Sequence, residues 1–177
     1  MDLRKGWAFL LLLLCPSLSH ADQITSFQVS LIHPVQLFSD DYSVDGFRFN
    51  FLYGENQDLQ GIDLGLINQT LGSTHGFELG AVNLVDQEFG GGQFGLFNEV
   101  KRNFKGVQFG AIANIAERSV EGFQAAVLYN DTQDDMHGVQ LGIVNHAGSL
   151  NGLQIGFLNF NDDTKYMGFF PFINAAF

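Results

Sequence analysis

The side chains best equipped for chemistry are few and widely spaced. Four histidines, His33, His75, His137 and His146, follow the first 21 residues, and imidazole is the group that most readily takes up a metal or passes a proton near neutral pH. No two of them have the His-x-x-x-His spacing of a helical metal site. With the strands closed into a barrel, His33, His75 and His137 fall near one rim, where the chemistry open to them is metal or lipid-phosphate contact. Scattered interfacial histidines are the commoner use of such positions. Ser43 and Ser73 occur near the same rim, but nothing in the spacing joins either to a histidine and a carboxylate as a lipid-modifying enzyme would need. No catalytic residue, metal site or cofactor is therefore expected, and the chain is read as a non-enzyme. Lys101, Arg102 and Lys105 form the one basic cluster beyond the leader, and on an outer loop they could contact lipid phosphates. The acidic pairs and trios (Asp40-Asp41, Asp131/Asp134/Asp135, Asp162-Asp163) lack the glycine-and-carboxylate spacing of a calcium loop and read as solvated turns.

Composition narrows the classes further. The chain has 177 residues, a net charge of -11, 46% hydrophobic residues, 21 Gly, 19 Phe and a single Cys. An acidic chain with no basic field cannot displace counterions from a nucleic acid. One cysteine supports neither a disulfide framework nor a thiolate zinc site. The sequence is too apolar and too aromatic for disorder. Residues 1–21, MDLRKGWAFLLLLLCPSLSHA, carry Arg4 and Lys5 ahead of an apolar stretch from Trp7 to Cys15 and end on Ser19-His20-Ala21. That is the pattern of an export signal peptide, too short to span a bilayer. It leaves residues 22–177 as a single domain. No other apolar run is long enough for a membrane helix, so any insertion into a bilayer would have to use strands.

Internal repetition dominates residues 22–177. Units begin at Leu59 (LQGIDLGLIN), Thr74, Phe89, Phe104, Val120, Met136 and Leu150 (LNGLQIGFLN), with diverged copies at Ile24 and Val44. We number the unit 1 to 10: apolar, polar, Gly, apolar, Gln, apolar, Gly, apolar, apolar, Asn. Period-2 alternation marks strands, and two glycines in ten residues, each costing about 1 kcal/mol in a helix, exclude the alternative. Connections of four to six residues between most units have hairpin length. Nine strands are expected (24–33, 44–53, 59–68, 74–83, 89–98, 104–113, 120–129, 136–145 and 150–159), with 166–177 as a tenth.

The tandem GVQLGIVNHAGSLNGLQIGFLN resembles the repeat of a bacterial surface-repeat family, whose members carry Gly-x-Gln-x-Gly-x-x-Asn units behind a signal peptide. The resemblance covers about residues 24–177 and implies export and surface association, with no established activity to carry over. Ala126 in place of Gly, and Ala113 and Tyr129 in place of Asn, depart from the pattern. The C-terminal YMGFFPFINAAF, ending on Phe177, resembles the assembly signal of Gram-negative outer-membrane barrels.

Together these features predict an all-β chain: an antiparallel meander of about ten strands closed as a small β-barrel, with a β-solenoid of 15-residue coils as the alternative. An even number of strands of ~10 residues suits a membrane barrel. Its lumen would hold a polar layer of Gln28, Arg48, Asp63, Glu78, Gln93, Gln108, Gln124, Gln140 and Gln154, with Arg48 paired to Asp63. The even face, with Ile155 at its centre, would meet lipid. On this reading the chain is a structural, interaction or minor-pore protein of the outer membrane, and its partners are outer-membrane lipid and the barrel-assembly machinery. Three features oppose the barrel, the lack of long outer loops among them. The apolar band, roughly 13–16 Å at ~3.3 Å per residue, falls short of the ~25 Å of known barrels, and Pro171 would remove a ladder donor from the closing strand. The solenoid alternative is a periplasmic or surface-bound binding module that buries the even face and stacks Asn in ladders.

Overall fold

The computed structural model describes residues 23–164 and 168–177. The expected signal peptide, residues 1–21, lies outside the described residues, as does part of the expected tenth strand. The described residues contain twelve strands and no helix: β1 (Gln23–Ile32), β2 (Val35–Gln36), β3 (Tyr42–Asn56), β4 (Leu59–Thr70), β5 (Thr74–Leu79), β6 (Val82–Val85), β7 (Phe89–Val100), β8 (Phe104–Ala116), β9 (Val120–Ala126), β10 (Tyr129–Leu141), β11 (Val144–Asn161) and β12 (Phe169–Ala176).

The strands do not form a barrel. They wind into a β-solenoid of about nine turns, and successive coils pair in parallel. The register is one repeat: Gly46 lies beside Gly61, Gly61 beside Gly76, and so on through Gly91, Gly106, Gly122, Gly138 and Gly152. In an antiparallel meander each of these third-position glycines would face a different position of its neighbour. Here like stacks on like, and this overturns both the expected closed meander and its membrane-barrel placement.

Three local features turn the chain into coils. The glycine at position 3 has a φ of +134° to +151° in each coil from Gly46 to Gly152, a region that L side chains avoid. A Cβ on Gly106 would also fall inside contact distance of the Gly91 carbonyl oxygen, which is fixed in the ladder. The unit bends near position 7: in the Thr74 and Val120 units the strand breaks there, into β5 and β6 and into β9 and β10, and elsewhere it runs on with a register shift, as between Gly95 and Phe97. A side chain at Gly65 would collide with the Asn68 amide three residues on, so the glycine at position 7 makes room for the asparagine at position 10. The Val44 coil inverts the pair. Asn50 stands at position 7, Gly54 lies opposite Asn68, and a Cβ on Gly54 would fall on the Asn50 amide.

Odd positions on the first arm of the unit face inward. Position 1 supplies Val44, Leu59, Phe89, Phe104, Val120, Met136 and Leu150, which pack against an inward row from the return strand that includes Val85, Val100, Ala116 and Ala147. Phe89 stacks on Phe104 with centroids 5.4 Å apart. The even positions 4, 6 and 8 face outward, so the solenoid alternative was right in its coils and its Asn ladders and reversed in the face it buried. Ala113 and Tyr129 do not break the Asn ladder either. Their coils are one residue longer at the corner, and the laddered residues are Asn114 and Asn130, in register with Asn98 and with each other.

Both ends are covered, as solenoids require. At the C-terminus β12 pairs antiparallel with β11 and forms an edge, where Pro171 is tolerated. It caps the stack and closes no barrel. At the N-terminus β2 turns back on β1, and the Phe38 backbone closes both ends of the Gln28 amide: its N–H donates to Oε1 at 3.0 Å and its carbonyl accepts from Nε2 at 2.8 Å.

Candidate functional site

The nine polar residues expected to line a lumen form one file along the solenoid interior, all 0% exposed. There is no lumen, since the return strand lies directly across from them. Gln154 donates to Gln140 (2.8 Å), Gln140 to Gln124 (2.9 Å), Gln124 to Gln108 (2.9 Å), Gln108 to Gln93 (2.7 Å) and Gln93 to Glu78 (2.8 Å). Every amide in this row donates toward the N-terminus. A row with that polarity ends at the N-terminal side in a donor that needs an acceptor, and the Glu78 carboxyl accepts it. Burial first, then the neighbouring Asp63, pushes the Glu78 carboxyl well above the usual carboxylate range. Asp63 is held by Arg48 through Nε at 2.9 Å and Nη2 at 2.5 Å, and the guanidinium is completed by the Gln69 carbonyl and the Thr70 hydroxyl, each at 3.0 Å. At the other end Asn174 of β12 donates to Gln154 at 2.8 Å.

The Asn row runs the opposite way. Asn50 donates to Asn68, Asn68 to Asn83, Asn83 to Asn98, and the chain continues through Asn114, Asn130 and Asn145 to Asn159, each step 2.7–2.9 Å. The two ladders therefore point their amide dipoles in opposite directions. Each uses its remaining side-chain N–H on backbone carbonyls in several coils, as Asn83 does on Phe94 at 2.8 Å. These rows are fully enclosed, so they carry structure and offer nothing to a ligand.

The outer surface is different. Positions 4, 6, 8 and 9 of all nine coils, from Phe27 to Leu158, are apolar, with Gly92 as the one exception. Most are open to solvent: Phe51 is 61% exposed, Val127 60% and Phe157 63%. Rings pack along the strip, Phe77 tilted against Phe94 and Phe94 stacked on Phe109, both with centroids 5.1 Å apart. Nine coils at ~4.8 Å and about five residues at ~3.3 Å give a strip of ~38 by ~16 Å. That area stands at the upper end of the ~300–600 Å² of the largest apolar patch on a typical soluble monomer. A shallow groove of about 900 Å³ runs along it, floored by Gly80, Gly95, Gly110, Ala126 and Gly142 and walled by Leu79, Phe94, Leu96, Phe109, Val127 and Leu141. The backbone beneath is satisfied by coil-to-coil pairing, and the corners continue it, as in Ala81 N–H to Leu66 O and Leu96 N–H to Ala81 O, both 2.9 Å.

Charge sits elsewhere in the cross-section, at position 2, on the return strand and on the far turn. Lys101 pairs with Asp86 and Lys105 with Glu121, each at 2.8 Å, and Arg102 is exposed on the same turn. Lys101 and Arg102 lie on the far turn, whereas Lys105, at position 2, is exposed next to the position-4 row and flanks the strip. His75 and His137 are both on the position-2 row, while His33 belongs to the N-terminal cap. His146 bridges two coils, with Nδ1 2.5 Å from Asp131 and Nε2 3.2 Å from Asp162. The Asp131 hydrogen bond, more than any other contact, raises its pKa. The 15- and 16-residue separations of Asp131, His146 and Asp162 are the sequence signal of this bridge, and they mean little until the coils are known to stack in parallel.

No helix among the described residues is long and apolar enough to cross a membrane. No family model, curated protein or solved structure matches the chain.

Proposed function

We propose that this is an exported, non-catalytic β-solenoid of the bacterial surface-repeat type that adsorbs to outer-membrane lipid through its apolar strip. The observation that carries this reading is the four-row strip itself, which contains no polar side chain in nine coils. A protein partner would leave its mark as hydrogen-bonding groups within the contact, about one bond per 100–200 Å² of interface. A surface that offers none matches a partner that offers none, and acyl chains are that partner. Because the backbone under the strip is already paired, it can face hydrocarbon without stranding a donor or acceptor. Burying ~600 Å² at ~25 cal/mol/Å² contributes roughly 15 kcal/mol before the costs of immobilisation.

The acidic edge points away from the bilayer in this pose. Adsorption therefore owes nothing to anionic lipid, and it is insensitive to salt. The test is flotation of the chain lacking residues 1–21 with phosphatidylcholine vesicles. The protein is expected to float equally at low and high salt, and Leu96→Arg/Phe109→Arg to remain at the bottom of the gradient with unchanged circular dichroism. Wild-type protein that stays at the bottom and sediments as a dimer would show the strip to be covered by a second copy, and would sink the lipid reading.

A further inference from the structure

The N-terminal cap holds a cluster that neither the ladders nor the strip uses. His33 and Asp40, on the segment that folds over the end of the stack, meet Glu55 of the second coil. One ring nitrogen and two carboxylate oxygens lie within 4.8 Å of one another. None of the ion pairs among the described residues involves Asp40 or Glu55. His33 Nδ1 is buried with no hydrogen-bond partner among the described residues. Gln36 Oε1 is a second buried acceptor without one, on a side chain whose amide N–H donates to the Glu55 carbonyl at 3.0 Å. Two carboxylates brought together with unused acceptors make a pocket with lone pairs and too few protons, and a cation is what answers that.

We infer that His33, Asp40 and Glu55 form a binding site for a borderline divalent transition metal such as Zn²⁺, one that locks the N-terminal cap onto the second coil. The donor set is one imidazole and two carboxylates, a nitrogen-and-oxygen combination that zinc accepts in four-coordinate sites, with a water in the remaining position. Calcium asks for six to eight oxygens, which three side chains do not supply. Ligand atoms in a tetrahedral zinc site stand ~3.3 Å apart, so side-chain rotation of about an ångström completes the site. The Tyr53 hydroxyl donates to Glu55 Oε2 and orients that ligand, as outer partners of metal sites do. The site adds a side-chain link to the hydrogen bonds that already join cap and second coil, Gln36 to the Glu55 carbonyl, Asn56 to the Ser39 carbonyl and His33 N–H to the Tyr53 carbonyl, so metal binding adds to the stability of this end of the stack.

The experiment is calorimetric titration of ZnCl2 into the untagged chain lacking residues 1–21, repeated on His33→Gln and Glu55→Gln, with circular dichroism to confirm folding. One saturable equivalent is expected in the wild type, with at least tenfold weaker binding in either variant, a melting temperature that rises with zinc, and no displacement by excess Ca²⁺. Cobalt substitution reads the same site by visible absorption, and its d–d bands should vanish in both variants. Zinc binding unchanged in the variants would move the metal to His75, His137 or His146 and refute the cap site. Absence of a saturable equivalent, or displacement by calcium, would overturn the assignment directly.

Discussion

The inside and the outside of this solenoid obey opposite rules, and one ten-residue unit writes both. Inward, positions 5 and 10 carry amides and charges that are wholly buried. Outward, positions 4, 6, 8 and 9 carry mostly Leu, Ile, Val and Phe in contact with solvent. A buried amide is tolerated when each N–H and C=O finds a partner, and stacking identical residues in register guarantees that partner in every coil. The difference separates two jobs. Stability comes from ladders and from the thin apolar rows at position 1 and on the return strand. The outer strip contributes little to the fold and is free to serve adsorption.

Interior changes should therefore move stability, and the largest effect is expected at the charged end of the Gln row. Asp63→Asn leaves Arg48 buried without its counter-charge and should cost ~3–5 kcal/mol in urea denaturation. Replacing Arg48, Asp63 and Glu78 together by Gln continues the ladder and should be neutral or stabilising. A triple variant as damaged as Asp63→Asn would show that the charges do more than end the row. Gly106→Ala combines a forbidden φ with a collision against fixed backbone and should cost ~3 kcal/mol.

A smaller effect concerns pH. The folded state keeps the Glu78 proton above the ordinary carboxyl pKa of ~4.3, at which the unfolded chain releases it. Stability should thus fall as pH rises from that value through the raised folded pKa. Glu78→Gln should flatten this slope, measured as urea midpoints across pH. His146 acts in the same direction from ~6.5 upward, because its folded pKa is also raised. The smallest change in stability belongs to the exterior: Ile155→Ser should shift the unfolding free energy by no more than ~0.5 kcal/mol while weakening vesicle adsorption. A large loss of stability there would erase the division between the two surfaces.

Much of this was legible in the chain. The repeat, its strands, the inward position of the Gln row and the Arg48–Asp63 pair all follow from alternation and charge. The direction of pairing did not. Alternation at period 2 is blind to whether the next strand runs parallel or antiparallel, and connections of hairpin length favoured the wrong answer. The signal that decides it is the pairing of glycine at position 7 with asparagine at position 10, whose meaning is steric: Gly65 is empty because the Asn68 amide fills its place. The inverted Asn50–Gly54 pair in the Val44 coil says the same thing. The cap site joining His33, Asp40 and Glu55 is legible from no spacing, because it depends on how the chain folds back over its own end.

The in-register stacking of the third-position glycines makes the molecule a ruler. Each coil advances the axis by the same ~4.8 Å strand spacing, and each inner coil presents matching upper and lower faces. A coil can be duplicated or lost between Phe89 and Leu150, where Gln stacks on Gln, without creating an unfamiliar junction, provided both caps remain. Length, and with it the area of the apolar strip, is then set in whole graduations of one repeat-length word, and the coils that are one residue longer take up the extra residue at a corner without losing count.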